Sequence, residues 1–164
     1  MRAADGVGGE AAVRVLVDDM LRSGFLVKLL NGLRGAWRAH QTTGSNSPDI
    51  TVDGVVETDY FSVLARIILA SPQLFLGAVQ SAKVNSTEQE SVEQTMKWLL
   101  EEWFSHFENI GDPSRRKLMC LALTRLLEVQ PAQAWMLGKL QDLMTMWTDV
   151  VVELTEGNEG KSVE

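Results

Sequence analysis

Asn109-Ile110-Gly111-Asp112-Pro113-Ser114-Arg115-Arg116-Lys117-Leu118 lies between two long segments with apolar stripes, and its reading decides the fold. It is the joint of a helix–turn–helix. Gly111 can take the left-handed conformation that ends one helix, Asp112 can cap the next, and Pro113 suits a first helical turn. Upstream, Val92, Met96, Leu99, Trp103, Phe107 and Ile110 recur three or four residues apart, which predicts a helix over 88–110. Glu88, Glu90 and Glu93 fall in its first turns, where the helix dipole favours acids, and Thr87 with Glu90 forms a capping-box pattern. Downstream, 113–129 is apolar on most sides between Leu118 and Leu127, so it should be the most buried element.

Working outward, every legible segment is helical. Val13, Leu16, Val17, Met20 and Leu21 make one stripe over 10–22, broken by Ser23-Gly24. Phe25, Leu26, Leu29, Leu30, Leu33 and Trp37 make the next over 25–40. The stretch 41–54, rich in Thr, Gly, Ser, Asn and Asp, reads as a loop with Ser47-Pro48 at its middle. Helical pattern returns over 55–70 with Phe61, Leu64, Ile67 and Ile68 inward. Ser71-Pro72 starts another helix carrying Leu74, Phe75, Ala78 and Val79, which Asn85-Ser86-Thr87 interrupts. After Gln130-Pro131 a last helix runs over about 132–154. Residues 1–9 read as a flexible leader, 10–154 as one helical domain, and 155–164 as a disordered acidic tail with only Val163 to offer a core. The prediction is therefore all-α, with seven helices and no strand pattern. Breaks near 24, 72 and 112 start the second members of successive helix pairs, at close to the period of HEAT or armadillo units. Period alone does not separate such a stack from a non-repetitive bundle.

The totals narrow the class. A chain of 164 residues with 45% hydrophobic content supports one domain with a real core. Its apolar runs are too short and too often broken by charge to span a bilayer, so no membrane role is expected. Ala3 to Glu10 is Gly-rich and acidic rather than an apolar signal core, and the Asn85-Ser86-Thr87 sequon without a signal reads as chance. The single Cys120 excludes an internal disulfide and suits a reducing compartment. A net charge of −7, concentrated in 86–110, argues against direct nucleic-acid binding and suits a partner with basic segments.

Chemistry is sparse. Glu102 and His106, four apart on one helix, form at most half of a metal site and read as a solvent-facing pair; His40 has no acid within a turn of it. Cys120 falls in an apolar run and should pack as a small hydrophobe. Gly6-Val7-Gly8-Gly9 follows no strand and lacks the Lys-Ser/Thr end of a phosphate loop. No catalytic, cofactor-binding or metal-binding residue is assigned, and no cofactor or enzymatic activity is expected. Most of the tryptophans sit within apolar stripes; Trp98 lies off the main stripe beside Glu101 and Glu102, and is a candidate for an exposed binding face. Arg115, Arg116 and Lys117 oppose the dipole of the helix they start, which requires either offset by acids such as Glu108 or contact with a partner.

Trp103 and Phe107, the joint, and Leu118-Met119-Cys120-Leu121-Ala122-Leu123 after it together carry a resemblance to the C-terminal HEAT repeats of importin-β-type nuclear transport receptors, the karyopherins. The sequence most resembles the importin-eleven branch in its fungal form. The resemblance covers about 10–155, most specifically 96–128 and Leu140–Leu154. It implies helix pairs stacked as a right-handed superhelix, with second helices near 24–40, 72–84 and 113–129 on the concave side and first helices near 55–70 and 88–110 outward. It also implies a shuttling, non-enzymatic receptor segment that meets cargo proteins and Phe-Gly nucleoporins. Ran GTPase would bind the family's N-terminal repeats, which this chain does not match. Under that reading Glu101, Glu102 and Glu108 are candidates to meet a basic cargo segment, with Trp98, Arg115 and Arg116 as further protein-binding candidates. Val13, Val17 and Leu21 should be partly uncovered where another repeat would stack. Two rivals stand beside it: a helical scaffold unrelated to transport, and a helical enzyme or metal binder, which would require a polar cluster inside the core.

Overall fold

The computed structural model describes residues 2–41, 53–84 and 89–161. Among these it contains eight α-helices, a short 3-10 turn and no strand. They are α1 (Arg2–Arg22), α2 (Phe25–Gln41), α3 (Gly54–Ala70), α4 (Pro72–Val84), α5 (Val92–Phe107), α6 (Pro113–Arg125) with the 3-10 turn Leu126–Glu128, α7 (Ala132–Leu137) and α8 (Leu140–Lys161). The fold is all-α, as the sequence predicts.

Local chemistry explains most boundaries. Asp112 caps α6 by accepting from the Ser114 N–H at 3.1 Å, with Pro113 in the first turn. Ser71 accepts from Leu74 N–H at 3.2 Å to start α4, and Asp53 accepts from Val55 N–H to start α3. Between α1 and α2 the chain reverses at Gly24, whose φ of 76° requires a residue without a side chain.

Several boundaries differ from the sequence prediction. Gly111 is not left-handed; among the described residues Gly24 is the one with positive φ. Instead, α5 ends in a tight turn in which the N–H groups of Asn109 and Ile110 bond to His106 and Phe107 carbonyls. The start of α5 lies at Val92, where Ser91 and Gln94 form the capping box, so Glu90 stands ahead of the helix. Thr87, the sequon and most of the 41–54 loop lie outside the described residues. The last predicted helix is divided at Gly138-Lys139 into α7 and α8, making eight helices where seven are predicted. Helix also begins at Arg2, within the predicted leader, and continues to Lys161, within the predicted tail. Low hydrophobicity removes the incentive to bury a segment, but it does not forbid a helix from extending past its packed part.

The helices form two layers. In one, α2 stacks on α5 and α5 on α7; in the other, α3 stacks on α6 and α6 on α8, while α1 and α4 close the side formed by α2 and α3. This is a helical-repeat arrangement, but its register differs from the predicted one. The segment near 24–40 shares its layer with α5, and 55–70 shares its layer with α6. The reason is that α4 turns its buried Phe75, Ala78, Val79 and Ala82 against α1, α2 and α3, and so leaves α3 itself to cover α6. Periodicity names inward residues, not the neighbour they meet.

The core runs unbroken through both layers. Phe61 of α3 stacks on Trp103 of α5 at 4.8 Å between centroids and 25° between planes. Met119, Cys120, Ala122 and Leu123 of α6 are buried, but the most buried helix is α5 rather than α6 as predicted, because Leu121 is exposed and Leu118 only half-buried, so the apolar run is not covered on all sides. At the α1 end, Val13 and Leu21 are half-buried but Val17 is fully covered, and Leu16, predicted inward, is exposed beside Val15.

Candidate protein-binding surface

An open groove of about 580 Å3 lies between the C-terminal half of α2 and the N-terminal half of α5. Its walls include Trp37, Gln41, Gln94, Lys97 and Glu101. Trp37 and Trp98 form its aromatic floor, with centroids 6.3 Å apart and planes tilted at 42°. Glu101 accepts a hydrogen bond from Trp37 Nε1 at 3.1 Å, which holds a half-buried carboxylate beside a half-buried indole. That pairing suits a cationic side chain, through its charge and through the ring face.

Trp98 is not the exposed residue the sequence predicts. Only 3% of it is accessible. Its Nε1 donates to Glu90 at 3.2 Å, and the Arg34 guanidinium lies over its ring at 5.4 Å. Glu90 in turn pairs with Arg34 and accepts from Thr95 Oγ1 at 3.1 Å. A position off the main stripe of α5 is therefore covered by α2 and by the chain leading into α5.

Behind the groove lies a buried polar network that joins three helices. Glu57, Glu102 and His106 are 4%, 1% and 3% exposed. His106 Nδ1 lies 3.2 Å from Glu57 Oε2, and its Nε2 lies 2.7 Å from Thr58 Oγ1. His40, in the last turn of α2, places Nδ1 2.9 Å from Glu102 Oε1. The two carboxyls also act on each other, Glu57 raising Glu102 and Glu102 lowering Glu57. Burial, reinforced by Glu57, pushes the Glu102 carboxyl up to about 7. Burial acts on Glu57 in the same sense, but hydrogen bonds from His106 and Glu102 outweigh it and hold its pKa below the ordinary value. The hydrogen bond to Glu102 raises His40. The opposite directions of the two shifts make Glu102 the member that more readily holds a proton and Glu57 the one that more readily stands as carboxylate.

Glu102 and His106 are consequently not the solvent-facing pair expected from their spacing, and Glu102 presents nothing to a partner. The network is the polar cluster in the core that a helical enzyme or metal binder would need. However, no group of three or more His, Cys, Asp or Glu among the described residues is arranged to hold a metal ion. Cys120 is buried, and burial pushes its thiol up to about 12, far from a reactive thiolate.

The cations of the joint are drawn inward or paired. Arg116 is 9% exposed; its Nη1 donates to the carbonyls of Phe107 and Ile110 at 3.1 and 3.2 Å, its Nε lies 3.0 Å from Glu153, and its guanidinium covers the Phe107 ring at 4.4 Å. Arg115 pairs with Asp59 at 2.7 Å and reaches Asp112 at 4.0 Å. The acids that offset these charges come from α3, α8 and the cap rather than from Glu108, which stands exposed at the end of α5. Of the candidates named from sequence, Glu101, Glu108 and part of Arg115 reach the surface, and the groove is lined by Glu101 together with the buried Trp98 of its floor.

Sequence reasoning assigned no role to His40, Glu57 or Thr58, whose partners in the network lie on other helices, far away in the chain. One signal was present: Glu57 falls on the inward stripe of Phe61, Leu64 and Ile68, and an acid on an apolar stripe needs a buried partner.

The family model for importin-11-like TPR repeats matches residues 2–164. No curated protein and no solved structure matches the chain. Stacked helices with short turns, a continuous core and a match over the described array agree with one another: the chain belongs to the importin-11-like family of TPR-repeat proteins.

Proposed function

We propose that this chain is a protein-binding segment of an importin-β-type nuclear transport receptor, from the C-terminal part of a receptor like the fungal importin-eleven proteins. Its family membership over residues 2–164 carries this reading. In it, the segment is non-enzymatic and shuttles between nucleus and cytoplasm as part of the receptor. Cargo proteins with basic segments and Phe-Gly nucleoporins are its partners, while Ran GTPase binds elsewhere in the receptor. The groove beside Glu101 takes a Lys or Arg side chain of the cargo, held by the carboxylate and the Trp37 ring face.

The test is capture from nuclear and cytosolic extract, with and without Ran-GTP, read by mass spectrometry. Basic nuclear proteins and Phe-Gly nucleoporins should be recovered, insensitive to Ran-GTP. Glu101→Arg should deplete the basic class and spare the nucleoporins. Recovery of neither class from the wild type would overturn the transport reading, and recovery unchanged by Glu101→Arg would overturn the groove.

A further inference from the structure

Side-chain ties cross from the C-terminal half of α2 to α5 and the chain leading into it, at intervals of three residues. Arg34 pairs with Glu90. Trp37 Nε1 donates to Glu101 at 3.1 Å, and His40 Nδ1 lies 2.9 Å from Glu102 Oε1. Apolar anchoring stops short of the last of these. Leu26, Leu29, Leu30, Leu33 and Ala36 are buried, but among the described residues of α2 no apolar side chain beyond Ala36 is fully covered. The last turn carries Trp37 and Gln41, which form the α2 wall of the groove. Its docking therefore depends on polar ties as well as on the half-buried Trp37.

The tie at His40 is the one that protons can break. Glu102 is 1% exposed, and out of water its charged form needs a cation beside it. His40, with 55% of its side chain exposed, is the cation it meets. Glu57 of α3 also acts on Glu102, and as a carboxylate it disfavours a second negative charge. His106 of α5 is turned to Glu57 and Thr58 instead. On His40 itself, Glu102 acts from α5 and Glu57 from α3; α1 and α4, also packed against α2, bring no charge to bear on it among the described residues. While the pair holds its protons, His40 donates to a neutral carboxyl or pairs with a charged one. Once both protons are gone, a bare carboxylate is left in the core beside Glu57, and water reaches it when the last turn of α2 lifts. We propose that His40 and Glu102 form a proton-operated latch on the last turn of α2, which holds the groove wall in place while protonated and releases it when the protons are lost. This rests on the groove being the cargo site, and it adds a control to that site: cargo is held more tightly in more acidic surroundings.

Amide hydrogen exchange of the whole chain reads the latch without any cargo. Corrected for the intrinsic rate at each pH, protection over 38–41 should fall by about tenfold or more between about pH 6 and about pH 8.5. Variants should pull it in opposite directions. Glu102→Gln keeps an acceptor for His40 but cannot ionise, so the last turn should stay protected at both pH values. His40→Ala, at a half-exposed position, should leave it poorly protected at both. Protection that does not change with pH in the wild type would overturn the latch, and so would a fall of the same size in Glu102→Gln. Binding of a fluorescent oligolysine peptide reads the coupling to the groove. It should weaken several-fold from about pH 6 to about pH 8.5, although the growing negative charge of the chain acts to strengthen it, and Glu102→Gln should remove the weakening. Tighter binding at the higher pH would overturn the coupling. Binding at neither pH would overturn the groove as cargo site, while the exchange would still decide the latch.

Discussion

Burial penalises the charged form of Glu102 and the neighbouring Glu57 reinforces this, so its carboxyl is pushed up to about 7 and stability depends on pH with a definite sign. Between the ordinary value of 4.5 and about 7, the folded chain holds a proton there that the unfolded chain has lost, so stability falls as pH rises through that window. His40 acts in the same sense. Raised above 6.5, it contributes stability below that value which is lost as pH rises through its folded pKa. Glu57, lowered below 4.5, contributes in the opposite direction, and its share is lost only as pH falls through its folded pKa. The midpoint of urea unfolding should therefore be higher at about pH 5.5 than at about pH 8. Glu102→Gln, whose amide can still donate to Glu57, should flatten that difference and stabilise the chain at about pH 8 by on the order of 1–2 kcal/mol. An unchanged pH slope in the variant would assign the titration to other groups. Cys120 gives a simpler test at the same scale: with its thiol pushed up to about 12, it should react with thiol reagents only after denaturant is added.

At the scale of elements, the joint between α5 and α6 is held from inside. Arg116 satisfies two carbonyls at the end of α5, covers Phe107, and pairs with Glu153 of α8, so one side chain fastens three helices. Arg116→Ala should cost about 3 kcal/mol, because it leaves buried acceptors without a donor. Arg116→Lys should recover only part of this, since a single ammonium cannot fork to both carbonyls and stack on the ring. If Arg116→Ala left the chemical-denaturation midpoint within error of wild type, the turn would have to be held by its backbone alone. By contrast, Asp112→Ala should cost only about 1 kcal/mol, the usual worth of a cap on an exposed turn. The cap was legible in the sequence because it acts over two residues. The fastening was not, because Arg116 and Glu153 lie far apart in the chain, and a first-turn cation looks misplaced until its acceptors are seen.

For the whole molecule, the two layers place α3, α5 and α6 in the middle of the array, with α1 and α8 at its margins. Amide hydrogen exchange should accordingly be slowest in α3, α5 and α6 and fastest in α1 and α8, as expected where each unit is stabilised mainly by its neighbours. Equal protection in α8 and α3 would contradict that order. The sequence by itself determined the helices, their caps at Asp112 and Ser71, and the break at Ser23-Gly24, because these depend on period and on bonds spanning a few residues. It also carried the likeness that led to the family. Only the tertiary structure decided that α2 stacks on α5 and α3 on α6, that Trp98 and Glu102 turn inward, and that His40 meets Glu102 while His106 meets Glu57. Those outcomes depend on which apolar face each helix finds, and that choice is made by packing between segments distant in the chain, which no local pattern records.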